Sequence, residues 1–369
     1  MAETRRVNYF PIPPFSGGDQ SFRTYLMPSG VISHAAEGDA LPLAGGPYYF
    51  TELDVFISRR DEITVTRIPA KSLFNHVAKE DRQRAEDSLL RLTNACVDYA
   101  GLSLSRYHIM GIINTTPDSF SDGGDHLAAE VATQSALTMA DQGATILDVG
   151  GESTRPGAEP VGFEEETRRI TPVINALKEA GHIVSADTRH TNVMSKALLE
   201  GADIINDVGG LRDEGAVELV AKNQTPVMIM HMQGEPGTMQ NDPQYRFAPL
   251  DIYDWLETRI KICEEAGLPR HLIAVDPGFG FGKTPHHNMQ IMAHLALYHG
   301  LGVPIVLGVS RKSTIAHFAH GEAAKDRMPG SVALATAGRL QGVQIFRVHD
   351  VAETEQALAN IEAMMQRRS

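Results

Sequence analysis

The sequence predicts an α/β protein: a (β/α)8 TIM barrel carrying a small α+β N-terminal extension. Three observations lead there. Short apolar segments recur at 107–113, 145–149, 183–187, 203–206, 226–231, 272–276, 304–309 and 343–348. Stretches of helical spacing separate them, as in AEVATQSALTMADQG (129–143) and NVMSKALLEG (192–201). Strands joined by crossovers that long run parallel beneath an outer layer of helices. Finally, nearly every apolar segment runs straight into Asn, Asp, Thr, Arg, Lys or Gly, which places chemistry on one rim, as the top face of a barrel requires. An open, doubly wound sheet is the alternative, but it gathers its ligand contacts at one switch point.

Taken in order, residues 1–105 read differently from the rest. Pro11, Pro13 and Pro14, then Gly17, Gly18, Gly30, Gly45 and Gly46, punctuate short pieces. YYFTELDVFI (48–57) and EITVTRI (62–68) have β-type residues and polar breaks, which predicts a hairpin. AKEDRQRAEDSLLRLTNACVDYA (78–100) carries helical spacing through Ala85, Leu89, Leu92 and Cys96. No motif appears here, so 1–105 reads as a structural extension of unknown role and 106–369 as the barrel. Within the barrel, Gly143, Gly181 and Gly201 close three helical stretches, where a left-handed C-cap residue belongs.

The chain has 369 residues, 42% of them hydrophobic and 21% charged, the composition of an ordinary globular protein. A net charge of −13 argues against nucleic-acid or acidic-membrane partners. Yet Arg155, Lys283, Lys312, Arg347 and His349 all fall at strand ends. A locally basic rim on an acidic protein suits a small anionic substrate. Two cysteines provide no disulfide framework and point to a reducing compartment. The opening MAETRRVNYFPIPPF lacks the apolar core of a signal peptide and no run approaches a membrane span, so a cytoplasmic location is expected.

Three strand ends stand out: Asp187, Asn206 and Asp276. Two carboxylates and an amide converging in a barrel mouth can read the planar edge of a heterocycle, much as a carboxylate takes two parallel N–H bonds from arginine. The alternative for each is N-capping of the following helix. GVSRKS (308–313) ends the seventh strand and RVHD (347–350) the eighth, where barrels commonly hold phosphate. Ser313 and Thr314 open a helix there, and Arg347 and His349 share one side of their strand by alternation. The stretches 114–125 and 151–157 are too punctuated for helix and too polar for strand, and they read as loops over the mouth, with Phe120 an apolar tip. Fifteen histidines raise a metal hydrolase, but no strand end carries closely spaced histidines, and His231 in VMIMHMQG is the one ambiguous case. GxSxG is missing, and GFGFG (278–282) has the wrong spacing for a dinucleotide fingerprint.

NTTPDSFSDGG, GGESTRPGA, DPGFGFGK, GVSRKS and RVHD, in that order across about 106–360, closely resemble the dihydropteroate synthase family of folate biosynthesis. Departures are small: Thr115 and Ala186 stand where valine is usual. The resemblance implies condensation of 4-aminobenzoate with (7,8-dihydropterin-6-yl)methyl diphosphate, with Mg2+ as cofactor. It implies that Asp187, Asn206, Asp276 and Lys312 hold the pterin, with Met230 and Arg347 packing its faces. Asn114 (through Mg2+), Arg347 and His349 would take the diphosphate. Phe120, Thr154, Arg155, Pro156, Phe281, Lys312 and Ser313 would shape the aminobenzoate pocket, and Asp187, Asp276, Lys312 and Arg347 would carry catalysis. Family members usually form homodimers through helices near the chain's end, and GSVALATAGRLQG (330–342) is apolar enough for that.

Two rival functions differ in what they need. A pterin-dependent methyltransferase domain would share the carboxylates but has no use for SRKS or RVHD as a diphosphate site. A silent paralogue serving as a binding subunit would have lost Asn114, Arg155, Lys312 or His349, and all are present.

Overall fold

The computed structural model describes residues 22–33, 39–60, 62–96, 98–115, 124–153 and 161–366. By its internal contacts the chain forms two units: residues up to Ala95 with Ala296–Gly302, and Cys96–Leu295 with Val303–Arg367.

The first unit is built on strands β1 (Phe22–Ile32), β2 (Leu41–Pro42), β3 (Tyr49–Arg59) and β4 (Ile63–Pro69), followed by helices α1 (Leu73–His76) and α2 (Arg82–Thr93). β3 and β4 are antiparallel in the register Ser58↔Ile63 to Glu52↔Pro69, so the segments read as a hairpin do pair. The sheet is larger than a hairpin, because β1 runs antiparallel along the other side of β3. Pro28 and Gly30 conceal β1 in the sequence. Proline is tolerated there because, among the described strands, β1 has a neighbour on one side only. Phe50, Leu53, Leu73, Ala85 and Leu92 are wholly buried and form this unit's core. Helix α2 stops at Thr93, short of the expected 100, because Asn94 turns extended (φ −70°, ψ 144°).

In the second unit, β5 (His108–Asn114), β6 (Ile146–Gly150), β7 (Val184–Asp187), β8 (Ile204–Asp207), β9 (Val227–Met230), β10 (Ile273–Asp276), β11 (Val306–Leu307) and β12 (Ile345–Val348) alternate with helices. These are α3 (Gly124–Asp141), α4 (Phe163–Glu179), α5 (Thr191–Leu199), α6 (Ala216–Asn223), α7 (Ala248–Glu265), α8 (Pro285–Ala293), α9 (Ser313–His317), α10 (Met328–Arg339) and α11 (Val351–Gln366). All strand pairings are parallel, in the order β10-β9-β8-β7-β6-β5-β12-β11. A parallel bridge between Val275 and Ile305 joins the two ends, so the sheet closes and the open-sheet alternative falls. β11 is only two residues long, where 304–309 was expected, because the chain leaves the ladder before Gly308.

The boundary expected at 105 lies instead at Ala95/Cys96. The physical reason is the barrel floor. Tyr99 and Leu104 are buried among Met110, Ile146, Ile204, Met228, Ala274, Val306 and Ile345, which lie at or near the amino ends of their strands. The stretch after Cys96 thus plugs the bottom of the barrel and belongs to its core. At the opposite rim, the unusual Thr115 is accommodated because its hydroxyl donates to the Gly150 carbonyl (3.1 Å).

Candidate active site

The parallel sheet delivers its polar residues to one end because each strand runs in the same direction. Asn114, Asp187, Met230 and Asp276 are the last residues of β5, β7, β9 and β10, and Asn206 is next to last in β8. Asp187, Asn206, Met230 and Asp276 are all buried.

A further polar residue, Asp148 on β6, organises the centre. It is wholly buried, and its Oδ2 accepts from Arg347 Nε (2.7 Å) and Asn206 Nδ2 (3.2 Å). Arg347 Nη2 donates to Asp187 Oδ2 (2.5 Å). One guanidinium from β12 therefore ties together carboxylates from β6 and β7. Burial works against the charge on Arg347, but Asp148 and Asp187 more than offset it and hold the group above its ordinary range. Asp187 is also raised: burial lifts its pKa, Arg347 opposes that, and Asp148 adds to it. The remaining oxygens, Asp148 Oδ1 and Asp187 Oδ1, are buried with no hydrogen-bond partner among the described residues. Buried acceptors left bare are costly and call for donors from outside the chain.

Across the mouth, Asp276 Oδ1 accepts from the Gly278 N–H (2.7 Å). Burial raises the Asp276 pKa, while Lys312 and that N–H pull it down. The Lys312 ammonium donates to the Phe279 carbonyl and lies 4.6 Å from the centre of the Phe281 ring, a cation–π arrangement. Burial lowers its pKa to about 8, despite the attraction of Asp276. Met230 packs with Val208, Met232 and Met239 against Phe281, giving an apolar wall beside the polar floor.

The GFGFGK loop takes its shape from glycine and a buried lysine. Gly278 sits at φ +71°, and a Cβ there would lie 1.9 Å from the His231 carbonyl oxygen, so only glycine fits. Lys283, 2% exposed, donates to His231 Nδ1 (2.9 Å), the His231 carbonyl (3.2 Å) and the Phe281 carbonyl (2.8 Å). His231 is therefore a packing histidine, held by Lys283 and set edge-on to Trp255 at 5.0 Å.

The helix-cap alternative fails for all three strand-end residues. The N-cap positions of α5, α6 and α8 are His190, Gly215 and Thr284, none of them Asp187, Asn206 or Asp276. At the phosphate-type loops, His349 Nδ1 is 3.0 Å from Ser310 Oγ, which orients the imidazole. Lys312 is the N-cap residue of α9, and Ser313 opens that helix exposed to solvent. α9 is only five residues long, so its dipole contributes little to holding an anion. Phe120, Thr154, Arg155 and Pro156 lie outside the described residues.

A family model described as pterin binding enzyme matches residues 110–349. The dihydropteroate synthase of Escherichia coli (strain K12) is 44% identical over 265 residues, covering 72% of this chain and 94% of that protein. The chain belongs to the dihydropteroate synthase family. A second such synthase, from Neisseria meningitidis serogroup B, is 48% identical over 269 residues, covering 71% and 94%. Among solved structures, the Xanthomonas albilineans dihydropteroate synthase with 4-aminobenzoic acid superposes with a TM-score of 0.68 at 43% identity, over 72% of this chain and 96% of that one. The same organism's enzyme in complex with 7,8-dihydropteroate gives 0.65 at 40%, over 71% and 95%.

Within this dihydropteroate synthase fold, sequence reasoning overlooked Asp148, although a lone charge inside the apolar run ILDVG was the available signal. It also overlooked the ion pair between Arg311 Nε, on a residue at φ +57°, and Asp350 Oδ2 (3.0 Å), which links the loops after β11 and β12. No local pattern announces that pair, since 39 positions separate its members.

Proposed function

We propose that the protein joins 4-aminobenzoate to (7,8-dihydropterin-6-yl)methyl diphosphate, releasing diphosphate and forming 7,8-dihydropteroate in folate biosynthesis. The observation that carries the reading is the pair of bare, buried oxygens on Asp148 and Asp187 beside Asn206 and Asp276. Acceptors set around one mouth suit the N–H-rich edge of an aminopterin. Met230 and the alkyl and guanidinium parts of Arg347 would pack against the ring faces.

On this reading diphosphate leaves first, because the methylene cation left behind is conjugated with the electron-rich dihydropterin. Asp187 and Asp276 favour that positive charge, and Arg347 and His349 oppose the negative charge growing on the leaving group. Asn114, half-buried at the end of β5, offers a neutral amide oxygen, a hard donor of the kind Mg2+ takes alongside phosphate oxygens and water. When bound, Mg2+ would supply further charge neutralisation at the diphosphate. The aminobenzoate amine is neutral at pH 7; its lone pair then forms the C–N bond to the methylene carbon and it gives up one N–H proton to water. Lys312 and Phe281 would border its pocket, with Ser313, Phe120, Thr154, Arg155 and Pro156 completing it. A homodimer through α10 and α11 belongs to the same proposal, supported by exposed Leu340 and Met364. So does a cytoplasmic location, supported by two unpaired cysteines and, among the described residues, no helix long and apolar enough to cross a membrane.

The test is diphosphate release by purified protein with Mg2+ and the dihydropterin diphosphate, with and without 4-aminobenzoate. Amine-dependent release with dihydropteroate as product is expected. Pterin binding without release would overturn the reading in favour of a silent or methyl-transferring relative.

A further inference from the structure

We infer that Glu152, Glu166 and His190 form a second cation site, built from residues other than Asn114 and suited to a divalent first-row transition ion such as Zn2+ or Mn2+. The three come from separate elements of the barrel unit: Glu152 follows β6, Glu166 lies in the first turn of α4, and His190 immediately precedes α5. His190 Nε2 lies 3.8 Å from Glu152 Oε2 and 3.9 Å from Glu166 Oε2, and one donor atom from each residue lies within 4.8 Å of the others. Those gaps are too long for hydrogen bonds. Two ligands at about 2.1 Å in a tetrahedral site lie roughly 3.4 Å apart, so each pair is about half an ångström from sharing one ion. Closing the widest gap needs a side-chain shift well within a rotamer's compliance.

A second observation points to an occupant. Glu166 is 0% exposed, and neither of its carboxylate oxygens has a partner at good hydrogen-bond geometry among the described residues, the Thr188 side chain being near enough only to favour its charged form; His190 Nε2 is likewise buried and bare. A buried carboxylate in that condition is strongly unfavourable until a proton or a cation reaches it. Burial raises the Glu166 pKa to about 7, with Thr188 and Arg189 lowering it and Glu152 and Asp187 raising it. Arg189 does not serve Glu166: it bonds Glu152 at 2.9 and 3.2 Å and reaches on to Glu235 at 3.3 Å. The donor set selects the ion. Mg2+ and Ca2+ take oxygen ligands, whereas an imidazole beside two carboxylates favours the transition series.

The test uses the full chain stripped with EDTA and titrated with Co2+, read by visible absorption and by equilibrium dialysis, with Zn2+ as competitor. One ion per chain is expected. Glu166→Gln and His190→Gln should each weaken binding by about 10- to 100-fold, while His320→Gln, at an exposed position, should leave it unchanged. No saturable binding, or binding indifferent to both substitutions, would mean the cluster is neutralised by a proton alone and overturns the proposal. Because a buried substitution can cost the fold, Zn2+-soaked crystals of the parent chain give an independent reading. An anomalous peak among the three side chains supports the site, and peaks only elsewhere refute it.

Discussion

Asp148→Asn is the sharpest probe of the site. The substitution keeps the size of the side chain but removes the charge that faces Arg347 Nε at 2.7 Å. It also forces the Oδ2 position, which now accepts from both Arg347 and Asn206, to serve them as a neutral oxygen. Truncating one partner of a buried charge pair typically costs about 2–5 kcal/mol. Arg347 keeps its bond to Asp187 at 2.5 Å, so the low end applies here. A loss of about 2–3 kcal/mol in transition-state stabilisation corresponds to roughly a 30- to 160-fold fall in kcat/KM. The assay is dihydropteroate formation at saturating 4-aminobenzoate with the dihydropterin diphosphate varied, together with calorimetric binding of the pterin alone and a thermal melt. A kcat/KM within threefold of the parent, with the fold intact, would refute the claim that Asp148 organises the pterin floor.

Further expectations follow from the same geometry. Lys312 has its pKa lowered to about 8 by burial, so its folded-state charge is lost as pH rises through that value. kcat/KM should therefore fall on the alkaline side with one ionisation near pH 8, and Lys312→Arg should move that limb upward; a limb that stays in place would assign it to another group. The same shift bears on stability: with an ordinary value of 10.5, Lys312 contributes to stability above that pH, and the contribution is lost as pH falls through about 8. Asp276→Asn should lower kcat/KM without lowering Tm, and near-normal turnover would remove Asp276 from the mechanism. Gly278→Ala should lower Tm by several degrees, because the new Cβ meets the His231 carbonyl and strain there is worth about 1–3 kcal/mol; an unchanged melt would contradict the close approach. Lys283→Met strands three acceptors and should cost about 1–3 kcal/mol for each one left buried, read by urea unfolding, and a neutral result would show that water replaces the ammonium.

The sequence by itself determined the barrel, its strand count and the side of the sheet on which the chemistry lies. Those follow from local information: apolar runs of strand length, helical spacing between them, and polar residues one step past each run. Parallel pairing then sends every strand end to the same rim, so Asp187, Asn206, Asp276 and Arg347 were legible as a group before any coordinates. What only the tertiary structure decided were the pairings between distant residues. The Arg347 guanidinium meets Asp148 across 199 positions, and Lys283 meets His231 across 52. The seventh barrel strand was legible only in part, because β11 keeps two residues of its apolar run in the ladder. The N-terminal boundary was also misplaced, because Tyr99 and Leu104 read as part of an extension until the barrel floor they fill is seen. Asp148 marks the limit most clearly: a charge in a buried strand reads as an anomaly until its counter-charge arrives from the other end of the chain, and only folding brings that partner within 3 Å.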